Sequence, residues 1–565
     1  MRRLYLILLA LNLCLGLIAL PAAPWLGQAA VLIALAHFSV AALLAPPLIA
    51  RKTFTLFDPL TLILAYILIG AVIPAYLIAF HASDRLSFIM GGQPLGAFVQ
   101  GAGWYLLSTL LIGAGYGACR KRVAVERWAP SDLAITRRGV LLASALGVIL
   151  SLLAATLFLS ATGGLEALSA KRSIQIETPE GIVHTSASYL RMAGDLSFML
   201  LLSALAFFLR SGGRVPWVML GALGLTAALI PFLASSRESI VFLLLGLMIV
   251  LHSYGRLRLR ALMVFAATAL MLFSLMTGLR AASQGGADSL EAPNALIALG
   301  ESGNGLSLIG TTHIIQGVPE RMPYQFGATY LTWITAPVPR RLWPDKPDIS
   351  LGKQVREQIM GQPVIRSGRP PSVMGEGWMN IGPLGFGITS LLFGYALRLL
   401  ATSFAPVIAR NIFLPPIYIA ALFALTSLAN AALSQAIVRG LTDLVLILGA
   451  VALMRLCARP SAQPITLRAG NLRTVFRHKT ACRITSTLID ARLASAAPSA
   501  PYTGISIRLP AMFKAKAPAV IAPNRLWRPD TIRKAEAGTL KAPKICAPPS
   551  TARTVPPWAN AAPKT

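Results

Sequence analysis

Runs of about twenty apolar residues, most of them bounded by arginine or lysine, recur from Leu4 to Cys457. Coiled as a helix, a run of that length matches the hydrocarbon thickness of a bilayer. A helix also satisfies its own backbone polar groups, which lipid demands of an open chain. The pattern predicts spans at 4–20, 30–50, 60–80, 96–118, 139–160, 189–209, 215–234, 239–254, 261–279, 382–400, 411–431 and 441–457. Two connections are long, Ser160 to Ser188 and Arg280 to about Ile381. The second holds Trp333, Trp343, Trp378, several prolines and two semi-apolar stretches, 295–315 and 326–334. Structureless loops of more than roughly 15 residues are uncommon, so this one is expected to fold, with re-entrant or interfacial helices. Beyond Cys457 the chain turns to Ala, Pro, Arg, Lys, Ser and Thr without periodicity, the pattern of a disordered tail. The expected fold class is therefore all-α. It is a polytopic membrane helical bundle of about twelve transmembrane helices over 1–457, with a large periplasmic loop at 281–381 and a disordered basic tail at 458–565. No repeat of fixed period and no duplicated pair of broken helices is visible.

Composition agrees with the pattern. The 565 residues are 55% hydrophobic and 13% charged, against roughly 25% charged in soluble domains, which excludes an ordinary soluble enzyme. The net charge of +30 has two sources. From Pro460 onward 17 Lys plus Arg stand against 3 acids; a basic cytoplasmic tail beside anionic lipid explains this better than nucleic-acid binding. The rest lies in alternate short loops: Arg2 and Arg3, Arg51 and Lys52, Arg120 to Arg138, Arg210 and Arg214, Arg256 to Arg260, and Arg398 to Arg410. The positive-inside rule makes that face cytoplasmic, and twelve spans put both termini there. The first 25 residues have the charged start and apolar run of a signal peptide, but before so many later spans an uncleaved first helix is expected. Cys14, Cys119, Cys457, Cys482 and Cys546 all avoid the outer loops, so no disulfide framework is suggested.

Phosphate-cradling, nucleophile-elbow, HExxH and paired CxxC signatures are absent. Six scattered histidines, of which only His81, His184 and His313 fall on the outer face, argue against a metal site, and no cofactor is expected. What remains is a set of basic residues in outer positions, against the orientation rule, among them Arg172, Arg237, Arg280, Arg340, Arg341, Lys346 and Arg439. Arginine binds phosphate through two parallel hydrogen bonds and keeps its charge near lipid, so such a set suits a membrane-borne polyanion. The plainer alternative is that long loops carry charge regardless of topology. Arg237, in the sequence ASSRES between two apolar runs, has less room to be a solvated loop residue.

Two segments carry a resemblance. Residues 337–347 read PVPRRLWPDKP, and residues 370–387 read PPSVMGEGWMNIGPLGFG. A PR-x-x-W-P-x-K-P element followed by P-S-x-x-G-E-x-x-x-N-x-G-x-x-G leading into a helix resembles the Wzy-type oligosaccharide repeat-unit polymerases of bacterial surface polysaccharide assembly. GGLEALSAKR at 163–172 and the SSRES turn are weaker echoes. The resemblance covers residues 163–387 and leaves 458–565 unmatched.

The resemblance implies an inner-membrane glycosyltransferase that polymerises undecaprenyl-pyrophosphate-linked oligosaccharides at the periplasmic face. A flippase and a chain-length regulator of the same pathway would be its partners, together with membrane lipid, and no nucleic acid is involved. Such an enzyme needs no nucleotide-sugar fold, because its donor arrives within the bilayer. Glu376 in GEGWMN is the expected base or acceptor-orienting carboxylate, with helix capping as the alternative role; Glu301 and His313 stand in reserve. Arg237, Arg341 and Lys346 are expected to hold the pyrophosphate, with Arg280 as a fourth member and Arg340 and Arg172 nearby. The alternatives are an O-antigen ligase or related lipid-linked glycan transferase, and a transporter or flippase for the same lipids, which would place charges inside the spans.

Overall fold

The computed structural model describes residues 1–458 except 53, 56, 82–89, 163–174, 179–180, 185–186, 213, 234–236, 259, 266, 269–270, 273–305, 339–341, 344–350 and 362–368. Among them are eight helices long and apolar enough to cross a membrane. In chain order the main helices are α1 (Arg2–Ala19), α2 (Gln28–Ile49), α3 (Pro59–Ala79), α4 (Leu95–Ala118), α5 (Arg137–Thr162), α6 (Ala187–Ser211), α7 (Trp217–Leu233), α8 (Arg237–Ser253), α9 (Leu308–Gly317), α10 (Ser372–Phe404), α11 (Leu414–Ser427) and α12 (Leu433–Cys457). Helices α7, α8 and α11 are shorter but equally apolar in character. Eleven of the twelve expected spans coincide with one of these helices; the twelfth, 261–279, lies largely outside the described residues, as does the tail from 459 onward.

Two departures from the all-helical expectation have plain causes. Gln175–Thr178 and Gly181–His184 pair as an antiparallel hairpin, with Ile176 opposite Val183; β-branched residues alternating with polar ones favour a strand over a helix. The expected outer loop supplies buried structure. Helix α9 is buried along nearly its whole length, and short helices follow at Ala328–Leu331 and Gly352–Gln354. A ten-residue helix cannot cross a bilayer, so α9 is a core element, capped by Ser307, whose hydroxyl accepts from Gly310 N at 3.1 Å.

Two apolar cores are formed. Helices α1 to α4, α9 and α10 share one, with α2 at its centre between α1 and α4. Helices α5 to α8, α11 and α12 build most of the other. Close approach of α4 and α10 needs glycine: a Cβ on Gly394 would stand 1.9 Å from Ile112 O, and one on Gly115 2.1 Å from Leu391 O. The Ser108 and Ser390 hydroxyls, 2.6 Å apart, hydrogen-bond across the same contact, a pairing that apolar surroundings favour.

The arginine-rich turns gather at one end. Thr402 donates to Lys121 O, Asn411 to Pro130 O, Arg137 to Arg214 O and Arg455 to Ser131 O, while Arg210 is paired with Asp132. The loops that alternate in sequence thus form one basic end of the bundle.

Candidate functional site

Helix α10 is two limbs. Ile381 (φ −142°, ψ 32°) and Gly382 (φ 63°, ψ −142°) leave helical geometry, and Pro383 starts the second limb. A backbone with positive φ and strongly negative ψ is glycine's own territory, and proline is at home in the first turn of the helix that follows. The first limb, 372–380, folds back on the second. Thr389 Oγ1 donates to Val373 O at 3.3 Å, and a Cβ on Gly385 would fall 2.1 Å from Gly377 O. Eight residues along a straight helix would separate those glycines by ~12 Å. The first limb is therefore a half-helix that ends inside the bundle, where Ser372, Val373 and Met374 are buried. Irregular backbone at such depth is tolerated only where protein covers it or a cavity is lined by it.

Three helix beginnings meet there. Leu428–Ala432, the turn from α11 to α12, takes Val373 N on Leu428 O (2.8 Å) and Leu306 N on Ala429 O (2.7 Å), just before α9. The starts of α9, of the half-helix and of α12 thus surround one buried turn, and their free N–H groups give it positive potential. Glu376 sits in this field, 1% exposed, and its Oε2 accepts from Leu433 N at 2.6 Å. The capping role is therefore real, but Glu376 caps α12 and not its own helix. Its Oε1 makes no hydrogen bond of full geometry, the Thr329 side chain being closest to supplying one.

Asn380, one turn on from Glu376, fixes the segment that covers it. Its Nδ2 donates to Glu376 O and to Thr329 Oγ1, both at 2.8 Å, and its Oδ1 accepts from Gly327 N at 2.7 Å. Ser434 Oγ, on the first turn of α12, donates to Thr329 O at 2.7 Å and accepts from Trp333 N at 3.2 Å. Tyr330 is half-buried beside this network, and burial together with the Glu376 charge pushes its hydroxyl pKa up, so it stays a neutral donor. The hydroxyls of Ser372, Thr311 and Thr312 are buried without partners among the described residues, and Ser372 has φ 60°. The arrangement is chemically a carboxylate with one oxygen anchored on Leu433 N and the other beside the Thr329 hydroxyl, at the starts of three helices. Among the described residues no group of His, Cys, Asp and Glu could hold a metal.

Of the residues singled out in the sequence, the structure brings Glu376 and His313 into one region. His313 was expected on the outer face but is a core residue, 2% exposed, with its ring set edge-on to Phe98 on α4; its helix turned out to be buried. Arg237 opens α8, and its side chain lies outside the described residues, as do Arg341, Lys346, Arg280, Arg340, Arg172 and Glu301 altogether. Compared with known proteins, the chain matches no family model, no curated protein and no solved structure. The site therefore rests on its own geometry.

Sequence reading missed Asn380, Thr329 and Ser434, which have no signal as isolated polar residues, and it singled out Arg439 on α12 without the acidic residues around it. Arg439 pairs with Glu238 at 3.4 Å and stacks over Phe242 at 5.1 Å. Asp443, one turn further, feels the attraction of Arg439 and the repulsion of Asp195 on α6. The signal was available: an Asp at the start of the apolar run 441–457, one turn after Arg439, is costly in lipid and marks a protein-facing side.

Proposed function

We propose that the protein is a membrane-embedded glycosyltransferase that polymerises lipid-pyrophosphate-linked oligosaccharide repeat units. The observation that carries this reading is Glu376, a carboxylate buried on a half-helix inside the bundle, with Oε2 held by Leu433 N and Oε1 facing no partner closer than the Thr329 side chain. The acceptor hydroxyl attacks the anomeric carbon, its proton passes to Glu376, and the pyrophosphate leaves with the electron pair of the broken C–O bond. A placed base is worth roughly 10²–10⁴-fold. Charge develops on the leaving phosphate, where helix starts and arginines lower the barrier. Arg237, Arg341 and Lys346, with Arg280, are the cations assigned to it from sequence. Orientation follows the positive-inside rule: the basic end faces the cytoplasm and the Glu376 end faces the periplasm of a bacterial inner membrane.

The polysaccharide of a strain lacking the protein tests the reading. Single capped repeats support polymerisation, whereas a full-length polymer left on its carrier lipid makes the protein a ligase. A transporter for the same lipids is the second reading, favoured by the Glu238, Arg439, Asp443 and Asp195 group among the apolar helices. Lipid-linked single repeat units held on the inner face, with no polymer formed, would select it.

A further inference from the structure

The short helix Ala328–Leu331 and the tighter turn after it, Thr332–Thr335, have two unlike sides. One side is fixed to the bundle: Gly327 N and Thr329 Oγ1 bond Asn380, while Thr329 O and Trp333 N bond the Ser434 hydroxyl. The other side presents Leu331 and Ile334, 60% and 57% exposed, and Phe326 just before the helix is 79% exposed. Thr332 and Thr335 donate their hydroxyls back to Thr329 O and Thr332 O, at 3.0 and 2.8 Å, so neither donor needs water. An outward apolar face of this density on so few residues marks an interaction surface.

Height and side together say what covers this face. Arg455, at the basic end, donates to Ser131 O, and Ser434 lies twenty-one residues away along α12, about 31 Å at 1.5 Å per residue. Pro383, just past the bend that follows Asn380, lies equally far along α10 from Phe404. The hydrocarbon core is about 30 Å thick, so both attachment points of the segment stand where acyl chains meet headgroups, at the end opposite the basic loops. On α12 the residues seven, eleven and fourteen positions after Ser434 share its face, and these are Leu441, Val445 and Leu448, all exposed. Arg439 and Asp443 fall on the opposite face, the side of Glu238 and Asp195. The segment therefore sits above the lipid-facing stripe of α12. Tyr324, Tyr330 and Trp333 are half-buried in the same stretch, and these residue types favour the membrane interface. We infer that residues 326–335 dock on the bilayer, with Leu331 and Ile334 inserted among the acyl chains of the leaflet at that end. Thr329 and Tyr330 of the same segment stand beside Glu376, so the lipid surface supports the cover of the buried carboxylate. This needs the helices to span a bilayer and does not need glycosyl transfer.

The test uses the full chain in its native membrane, with photoreactive benzoylphenylalanine in place of Leu331 or of Ile334, one position at a time. Val445, on the exposed stripe of α12, is the lipid-contact reference, and Glu320, exposed on the turn after α9, is the water-contact reference. Irradiation is followed by mass spectrometry of the adducts. Phospholipid acyl adducts at 331 and 334 are expected, within about threefold of the yield at 445 and at least about tenfold above the yield at 320. Yields at 331 and 334 no higher than at 320, beside lipid adducts at 445, would overturn the inference. Peptide adducts from another chain would overturn it too, by making the face a protein interface. Absence of lipid adducts at 445 as well would remove the span from which the height is measured, and the inference with it. Both replaced side chains are exposed, and if one variant fails to insert the other position decides.

Discussion

At Glu376 two demands fall on one carboxylate. Oε2 caps α12 through Leu433 N, and Oε1 is the atom that the proposed transfer uses as base. Glutamine keeps a carbonyl oxygen for the cap and loses the base, whereas alanine loses both. Glu376→Gln should therefore insert at normal abundance and lose about 10²-fold or more of its turnover. Glu376→Ala should in addition lower the unfolding temperature in detergent, since a charged cap on a buried helix start is worth about 1–2 kcal/mol. Asn380→Ala removes two donated bonds and strands Gly327 N and Thr329 Oγ1. Thermal unfolding should register a loss of about 2 kcal/mol or more, with segment 325–335 loosened. Arg237 gives a different contrast. Lysine keeps the charge but not the planar fork, so Arg237→Lys should shorten the polymer ladder at matched membrane levels if the phosphate is held by two bonds; ladders of normal length would reduce Arg237 to a point charge.

The folded-back α10 is the element on which the site depends. Val373 and Thr389 are neighbours across the two limbs, whereas sixteen residues of straight helix would hold them ~24 Å apart. Cysteines at 373 and 389 should therefore join through a short bifunctional reagent in membranes, read as a mobility shift after cleavage between them; absence of the link with both thiols labelled singly would show a straight helix. Gly385→Val should abolish activity by forcing the limbs apart, because a Cβ there meets backbone 2.1 Å away. This turn was only half legible. The run 382–400 stood out as a span because it is long and apolar, and NIGP carries the stop and start residues of two helices. The first limb, SVMGEGWMN, did not, since nine residues with a carboxylate, an amide and two glycines fall below the length and periodicity that mark a helix. Helix α9 was partly legible, since it overlaps the semi-apolar stretch 295–315 in a loop expected to hold re-entrant or interfacial helices, but its burial was not. The order of the spans could be read from hydropathy; the position of Thr329 and Ser434 against Asn380 could not, because it comes from tertiary contacts between segments 51 and more residues apart.

Across the whole molecule, the two ends differ in kind. The basic end is tied by hydrogen bonds among the loops at 120–138, 210–214 and 398–412, and the other end holds the convergence of helix starts. Reporter fusions at Arg51, Val125 and Tyr254 should give cytoplasmic signals, and fusions at Gly303 and Gly361 periplasmic ones. A cytoplasmic signal at Gly361 would reverse the active face. Truncation after Arg459 should leave polymer production intact, because the composition beyond it cannot bury enough apolar area to offset chain entropy. The central claim is that a carboxylate at 376 drives glycosyl transfer between lipid-linked repeat units. Its most direct measurement is product length from purified protein in liposomes supplied with lipid-pyrophosphate-linked repeat units, wild type beside Glu376→Gln. Ladders of many repeats from the wild type and uncoupled single units from the variant are predicted; equal ladders from both, or none from a correctly inserted wild type, would contradict it.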